Sequence, residues 1–256
     1  MFQLNNKIAV ITGATGGLGS SAAMTYAQYG ADVALLDLSQ EKLDALATEI
    51  ESSTGRKTLT ICCDLCAEDE VKAAVEKIIS VYGRIDILLN NVGKSIRKSI
   101  EEISKEEWDS IMETNIYPGF FMCKYALPYM KAQQYGKIVN ISSANAILGS
   151  KDPSQARHVY NAAKAAVHGM TVGLAGSYAQ FNITVNSIAP ALFKTPMTAH
   201  TSFADEKFLE GYCRAIPINR TANDGELNGT IIYLSSDASS YVTGQYLLVD
   251  GGLHCV

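Results

Sequence analysis

The stretch KIAVITGATGGLG, residues 7–19, decides how this chain folds. Residues 7–12 form a short apolar, β-branched run that predicts a strand, and residues 18–29 carry a helical pattern that ends before Gly30. The loop between them places backbone N–H groups at a helix start, where an anion is stabilised. A tight turn alone explains such a loop equally well, because glycines recur at this spacing by chance. If the loop binds a dinucleotide, we expect contacts from Gly13, Thr15, Gly17, Leu18 and Gly19.

Strands and helices alternate along the rest of the chain. Apolar runs predict strands at residues 31–37, 58–63, 85–90, 137–142, 183–188 and 245–249, and helical patterns predict helices at residues 40–53, 68–82, 106–134 and 159–181. Because strands such as Ile87-Leu88-Leu89 lack in/out alternation, we expect helices on both faces of the sheet. The sequence therefore predicts an α/β fold, a doubly wound parallel seven-stranded sheet of the Rossmann type. Its ligand crevice should lie at the carboxyl ends of the strands.

Helix-forming residues at 204–213 interrupt this alternation late in the chain. We expect an insertion over about residues 191–220 that forms a small helical substrate lid above the crevice. The length of 256 residues and the lack of a linker favour one dinucleotide-binding catalytic domain over residues 1–256.

The composition argues against several classes of function. With 21 basic and 26 acidic residues and a net charge of -5, the chain lacks the basic surface that nucleic acid requires. It also lacks the ~18 consecutive apolar residues of a membrane span. The six cysteines are too scattered for a disulfide framework, which predicts a reducing, cytoplasmic location. The four histidines lack metal-ligand spacing, so we expect no metal site.

Asp37 closes the second predicted strand, 18 residues after Gly19. This is the position at which a carboxylate accepts hydrogen bonds from the ribose hydroxyls of an adenosine. A carboxylate there repels a ribose 2′-phosphate, and Leu38 supplies no cation to neutralise one. The pair Asp37 and Leu38 therefore predicts that the cofactor is NAD(H) and not NADP(H).

Tyr160 and Lys164 are four residues apart in a predicted helix and so share one face. An ammonium ~4 Å from a phenol, at an effective dielectric of ~20, favours the phenolate by ~4 kcal/mol and could turn a tyrosine into an acid–base catalyst. A surface pair is the alternative. Ser142 and Ser143 end a strand at the crevice, where a hydroxyl could bond a substrate oxygen or simply form a turn. Asn115 is a poor helix former inside a helix, which suggests a local kink near Pro118 or an ordered water.

Taken together, these motifs are similar to those of the short-chain dehydrogenase/reductase family. The resemblance spans the chain and rests on TGATGGLG, Asp64-Leu65, NNVG at 90–93, Asn115, VNISS, YNAAK, NSIAP, Thr195-Pro196 and TGQYLLVDGG. It implies that Tyr160 is the general acid/base, that Lys164 lowers the pKa of Tyr160 and holds the nicotinamide ribose, that Ser143 orients the substrate oxygen, and that Asn115 maintains a water relay. It also implies cofactor contacts at Asp64, Leu65, Asn91, Gly93, Tyr160, Lys164, Pro190 and Thr195.

The same resemblance implies a homotetramer assembled through the fourth and fifth helices. Three positions depart from the family pattern: Val92 replaces the usual alanine, Ala191 follows Pro190 where glycine is usual, and Ala163 stands where serine is common. Alanine lacks the conformational freedom of glycine. Ala191 therefore raises the question whether the lid backbone follows the usual path of the family.

Arg97, Arg157 and His158 add positive charge to the predicted rim of the crevice of an acidic protein. An arginine fork suits a carboxylate, so a sugar acid or related hydroxy acid is the expected substrate, and the chain also resembles gluconate 5-dehydrogenases and deoxygluconate dehydrogenases. Solvated loop charge is the simpler interpretation of the same residues. A hydroxysteroid (bile acid) dehydrogenase is the main rival, because Ile147, Leu148, Phe193, Met197, Phe203 and Phe208 could line an apolar pocket. A 3-oxoacyl-carrier-protein reductase and a non-catalytic NAD-binding sensor are less favoured.

Overall fold

Seven parallel strands form the centre of the computed structural model, which describes residues 1–256. They are β1 (Ile8–Thr12), β2 (Asp32–Asp37), β3 (Thr58–Cys62), β4 (Ile87–Asn90), β5 (Gly136–Ile141), β6 (Ile183–Pro190) and β7 (Tyr246–Val249). Their order across the sheet is β3-β2-β1-β4-β5-β6-β7. All six neighbouring pairs are parallel. The predicted doubly wound seven-stranded sheet is therefore confirmed.

Eight α-helices connect or follow the strands. They are α1 (Gly17–Gln28), α2 (Gln40–Thr54), α3 (Glu68–Tyr82), α4 (Lys105–Gln133), α5 (His158–Tyr178), α6 (Pro196–Ala199), α7 (Glu206–Ala215) and α8 (Asn228–Ser235). Ser104 begins α4 with a capping box, in which its hydroxyl and the carboxylate of Glu107 bond each other's backbone N–H groups. The first five helices match the predicted segments closely. The sequence prediction missed α8, because its β-branched and aromatic residues carry no helical periodicity.

Helices cover both faces of the sheet. Along β1, Ala9 and Ile11 pack on one face with the apolar residues of α1, α2 and α8, whereas Val10 packs on the opposite face with those of α3, α4 and α5. All residues of β1 are buried as a result. Burial on both faces explains why the strands read as continuous apolar runs.

Helices α6 and α7 lie between β6 and α8, inside the segment predicted as an insertion. Asp205 begins α7, and its carboxylate accepts a hydrogen bond from the N–H of Phe208 at 2.9 Å. No residue of α7 is fully buried. Two short helices therefore occupy the expected position, while their action as a substrate lid stays a prediction.

None of the eight helices combines the length and the apolar character that crossing a membrane demands.

The tight packing of the glycine-rich loop leads to a stability test. A Cβ atom added to Gly19 would lie 2.1 Å from the carbonyl oxygen of Gly13, which is backbone and cannot move freely. We expect Gly19→Ala to lower the free energy of unfolding by ~1–3 kcal/mol, the usual cost of overpacking. Gly229→Ala is the matched control, because nothing lies within 4 Å of a Cβ at that position. Thermal unfolding of both variants measures the effect, and equal midpoints would contradict the packing described here.

Candidate active site

A cavity of about 620 Å³ opens at the carboxyl ends of the strands, where the fold predicted a ligand crevice. It extends from Asp37 at the end of β2, past the glycine-rich loop, to Tyr160 and Lys164 on α5. Of the fifteen residues predicted to contact a cofactor, all but Gly19 line it: Gly13, Thr15, Gly17, Leu18, Asp37, Leu38, Asp64, Leu65, Asn91, Gly93, Tyr160, Lys164, Pro190 and Thr195. Gly19 instead faces the carbonyl of Gly13 from inside the loop.

Asn91 holds the glycine-rich loop against the end of β4. Its backbone N–H donates to Oγ1 of Thr12 at 2.9 Å, and its Nδ2 donates to the carbonyl of Gly13 at 3.1 Å. Gly13 has a φ of +61°, a left-handed conformation that glycine adopts at little cost. The loop is therefore fixed by a side chain from the neighbouring strand, and the N-terminus of α1 points into the cavity.

The carboxylate of Asp37 is oriented by the same loop. Its Oδ2 accepts hydrogen bonds from the backbone N–H of Thr15 at 2.8 Å and from Oγ1 of Thr15 at 2.7 Å, and its Oδ1 accepts one from the N–H of Leu38 at 2.8 Å. A carboxylate offers about four acceptor positions, two on each oxygen, so Oδ1 retains capacity for a further donor. Asp37 is thus a positioned acceptor at one end of the cavity.

Lys42 lines the cavity beside Asp37 and was missed by the sequence analysis. It lies in the first turn of α2, five residues after Asp37. Residues in the first turn after a strand face the same crevice as the strand end, which is the signal that could have identified it. Lys42 therefore supplies a cation at the end of the cavity where the sequence predicted none, because Leu38 is uncharged.

Two hydrogen bonds join Lys164 to the end of β5. Nζ of Lys164 donates to the carbonyl of Ile141 at 3.0 Å, and Oγ of Ser142 donates to the carbonyl of Lys164 at 2.8 Å. Ser142 is therefore occupied in holding α5 against β5. Ser143 instead lies close enough to the Tyr160 phenol to lower its pKa, and its Oγ accepts from the N–H of Asn145 at 3.2 Å. The geometry supports the choice of Ser143 as the serine beside Tyr160.

The electrostatics of the Tyr160 phenol differ from the prediction. Burial raises the pKa of Tyr160, while the hydrogen bond with Ser143 and the charge of Arg157 lower it. Lys164 was expected to lower the pKa of Tyr160. Its Nζ lies 5.8 Å from the centre of the tyrosine ring and donates to Ile141, and burial lowers the pKa of Lys164 itself to about 8. Arg157 is therefore a cation that favours the phenolate, and the same role for Lys164 stays a prediction.

Asn115 meets Lys164 across Gly93. A Cβ added to Gly93 would lie 2.9 Å from both Oδ1 of Asn115 and Nζ of Lys164, so only glycine lets these two side chains approach. Nδ2 of Asn115 donates to the carbonyls of Lys94 and Ile111, both at 2.8 Å. Asn115 therefore ties α4 to the segment after β4, and its side chain borders the narrow space beside Lys164. The water relay remains a prediction.

Arg97 and Arg157 are brought together, whereas His158 is not. A backbone bridge pairs Lys98 with Arg157, and the positive charge of Arg97 adds to burial in lowering the pKa of Arg157. Arg97 donates to Oγ of Ser202 at 2.5 Å. Neither arginine forms an ion pair with a carboxylate. His158 is exposed at the start of α5. Of the four predicted substrate residues, Ser143 lines the cavity, whereas Arg97, Arg157 and His158 do not.

The segment after β6 closes over the glycine-rich loop. Thr195, Pro196, Met197 and Thr198 line the cavity, and a Cβ added to Gly17 would lie 3.1 Å from Cδ of Pro196. The N–H of Ala191 donates to the carbonyl of Val249 at 3.1 Å, and Ala191 is not among the residues with positive φ. The backbone at position 191 therefore needs no glycine, and alanine fits there in place of the glycine that is usual in the family.

No group of three or more histidine, cysteine, aspartate or glutamate side chains is arranged to hold a metal ion. All six cysteines are free.

Comparisons with known proteins agree with this geometry. A family model described as "Enoyl-(Acyl carrier protein) reductase" matches residues 13–254. The chain is 39% identical over 251 residues to a 3-oxoacyl-[acyl-carrier-protein] reductase of Thermotoga maritima, covering 98% of this chain and 99% of that protein. It is 38% identical over 253 residues to the gluconate 5-dehydrogenase of Gluconobacter oxydans, covering 99% and 96%. The structure of a gluconate 5-dehydrogenase from Burkholderia cenocepacia in complex with NADP and tartrate superposes with a TM-score of 0.94 at 31% identity, covering 100% of this chain and 98% of that one.

The burial of Lys164 leads to a pH-dependent stability test. Its folded pKa of about 8 lies below the ordinary value of 10.5, so the charged form is disfavoured in the folded protein. At pH 7 this costs up to about 3 kcal/mol, and the cost disappears as the pH rises from about 8 towards 10.5. We expect Lys164→Met to be more stable than the wild type at pH 7, with a difference that shrinks by pH 10.

Urea unfolding of the two proteins at several pH values measures this difference. Tyrosines and cysteines also titrate in this range. Both proteins contain the same ones, so their contribution cancels in the difference. A stability difference that does not change with pH would show that the ammonium is solvated and would contradict its burial.

Proposed function

This chain belongs to the short-chain dehydrogenase/reductase family and is an oxidoreductase, and from this premise we propose that it interconverts a secondary alcohol and a ketone, with NAD(H) as cofactor. The observation that carries the proposal is the convergence of Ser143, Tyr160 and Lys164 on one wall of the cavity. A binding protein without turnover has no need of that set, which argues against the sensor alternative.

Each of these residues has a role that follows from its position. Tyr160 gives a proton to a carbonyl oxygen, or takes one from a hydroxyl, and the Ser143 hydroxyl orients that oxygen beside the phenol. A nicotinamide ring bound in the cavity supplies or accepts the hydride. Lys164 stands where it can bond a ribose hydroxyl, and Asn115 holds the segment that carries Gly93 beside it.

The cavity residues fit a nicotinamide dinucleotide. Gly13 and Gly17 leave the loop backbone open to a pyrophosphate, and Asp37 is a positioned acceptor for a ribose diol. We propose NAD(H) because the charge of Asp37 repels a ribose 2′-phosphate. Lys42 acts in the opposite sense, and the Burkholderia structure contains NADP, so the preference rests on the balance between these two side chains.

A carboxylate-bearing substrate, such as a sugar acid, is the substrate class that the charges favour. Arg97 and Arg157 place two cations near Tyr160 without a carboxylate of the protein to neutralise them. Keeping two like charges together is unfavourable unless an anion joins them. The relative named gluconate 5-dehydrogenase and the neighbour that contains tartrate, a dicarboxylate, support the same class.

A 3-oxoacyl-carrier-protein reductase is the second candidate, because a relative of that name is 39% identical over nearly the whole chain. A hydroxysteroid dehydrogenase gains less support. Of the six apolar residues predicted to form its ring pocket, Phe193 and Met197 line the cavity, and the ring of Phe208 lies beneath the guanidinium of Arg97 with 5.3 Å between them.

We propose a homotetramer assembled through α4 and α5. Tyr117, Phe120 and Val172 on these helices are 44%, 44% and 49% exposed, although they are apolar or aromatic. Side chains of this kind favour a contact with another protein surface. A cytoplasmic location, suggested by the six free cysteines, is part of the same proposal.

Removal of the Tyr160 hydroxyl tests the proposed chemistry. We expect Tyr160→Phe to lose at least a hundredfold in kcat, because general acid–base catalysis contributes about 10²–10⁴-fold. Binding of NADH, followed by its fluorescence, should persist. Tyr178→Phe, at the far end of the same helix, is the matched control and should keep full activity. Undiminished turnover in Tyr160→Phe would exclude the proposed role.

The substrate class is tested by NAD-linked absorbance changes with three parallel probes: D-gluconate, acetoacetyl-coenzyme A with NADPH as well as NADH, and cholate. The proposal expects D-gluconate or another sugar acid to be turned over. Activity limited to the thioester would favour the second candidate. Activity limited to cholate, a steroid that also bears a carboxylate, would remove the sugar-acid proposal and favour the hydroxysteroid dehydrogenase.

Replacement of Asp37 tests the cofactor preference. Loss of hydrogen bonds to a charged group costs about 1.5–3 kcal/mol, so Asp37→Ser should lower kcat/KM for NAD by about 10–100-fold while raising relative use of NADP. The ratio of kcat/KM for the two cofactors is the measurement. A second variant, Lys42→Met, should shift the ratio towards NAD. An unchanged ratio in Asp37→Ser would show that this carboxylate does not select the cofactor.

A further inference from the structure

The position of Ser143 depends on few contacts of its own. It follows β5, at the point where the strand hydrogen bonds end, and the N–H of Ser142 is the last to pair with β6, at 2.7 Å from the carbonyl of Ile188. Beyond it, Oγ of Ser143 accepts from Asn145 at 3.2 Å, and its carbonyl accepts from the N–H of Ala146 at 2.9 Å. These bonds define one short turn. Nδ2 of Asn161 ties this turn to α5, because it donates to the carbonyls of Asn145 at 2.6 Å and Leu148 at 2.8 Å, but neither bond connects the turn to the sheet.

Tyr246 connects this turn to the sheet from β7. Its phenol donates a hydrogen bond to the carbonyl of Ser143. Tyr246 belongs to β7, which lies two strands from β5, a separation of about 10 Å at the normal strand spacing. Only a long side chain spans that gap. Ser187 of β6 is the in-register neighbour of Tyr246, and its small side chain lets the tyrosine pass over the intervening strand.

His168 keeps the Tyr246 ring in place. The two ring centres are 4.7 Å apart, and Nδ1 of His168 lies 3.1 Å from Oγ of Ser187. Ser187 also lies 3.2 Å from the carbonyl of Gln245, so one hydroxyl bonds both the imidazole of His168 and the backbone that precedes Tyr246. His168 is one helical turn beyond Lys164 on α5, and burial lowers its pKa, so the ring that packs on Tyr246 is neutral at neutral pH.

We propose that Tyr246 is a positioning residue for the reaction, which acts by fixing the backbone of Ser143 and thereby the direction of the Ser143 hydroxyl towards Tyr160. His168 and Ser187 hold Tyr246 in the orientation that this requires. The inference rests on the proposed catalytic role of Ser143. Tyr246 itself does not line the cavity, so it touches neither substrate nor cofactor.

Amide hydrogen exchange in Tyr246→Phe tests the inference without any substrate. The N–H groups of Asn145 and Ala146 bond Ser143 directly, so loss of the phenol should speed their exchange by about three- to tenfold, the effect of one hydrogen bond on local opening. Tyr241→Phe is the matched control, because Tyr241 is fully exposed near the start of β7, and it should match the wild type. A peptide that covers β4 is the internal reference for global unfolding.

Kinetics give the second readout. With D-gluconate and NAD as probes, Tyr246→Phe should lower kcat by about three- to tenfold and leave KM for NAD unchanged, because only the Ser143 side of the cavity is affected. Exchange at Asn145 and Ala146 equal to that of the wild type would overturn the inference. If Tyr160→Phe keeps its activity, the proposed function fails instead, whereas loss in Tyr160→Phe with wild-type behaviour in Tyr246→Phe removes the inference alone.

Discussion

The two hydrogen bonds that cross between α5 and the end of β5 are the constraint on which the site depends. The Lys164 ammonium bonds a carbonyl of β5, and the hydroxyl of Ser142, the residue after β5, bonds the carbonyl of Lys164. Together they fix both the rotation of the helix and its distance from the strand. Tyr160, one turn earlier on the same face, is then placed beside Ser143 without further adjustment. The helix and the strand are far apart in sequence, so this contact exists only in the folded sheet.

The same contact has an electrostatic cost. Lys164 is buried with no acidic partner, and burial lowers its pKa to about 8. Loss of solvent around the half-buried Tyr160 raises its pKa, and the opposing influences come from Ser143 and Arg157. A site of this kind holds a phenol close to ionisation only when enough positive charge surrounds it. Arg157 therefore serves two purposes in this account: it favours the phenolate and, with Arg97, it attracts an anionic substrate.

Much of this architecture was accessible from the sequence because local signals coincide with it. The apolar runs and the glycine loop predict the strands and a doubly wound sheet, and the spacing of Tyr160 and Lys164 places both on one helix face. What the sequence could not show depends on distant packing. Helix α8 has no helical periodicity, and Lys42 enters the cavity through the direction of α2. The distinct partners of Ser142 and Ser143 follow from the contact with α5. Tyr246 becomes visible only when the order β5-β6-β7 is known, because its partner lies two strands away.

The central claim is that Tyr160 carries the proton of the reaction, and ionisation of that phenol in the presence of NAD tests it most directly. Ultraviolet titration detects phenolate, and subtraction of the Tyr160→Phe titration isolates one side chain among thirteen tyrosines. A cationic nicotinamide in the same cavity favours the phenolate, so the account expects one phenol to ionise at lower pH when NAD⁺ is added, in the wild type and not in the variant. Identical titrations of the two proteins, with and without NAD⁺, would contradict it.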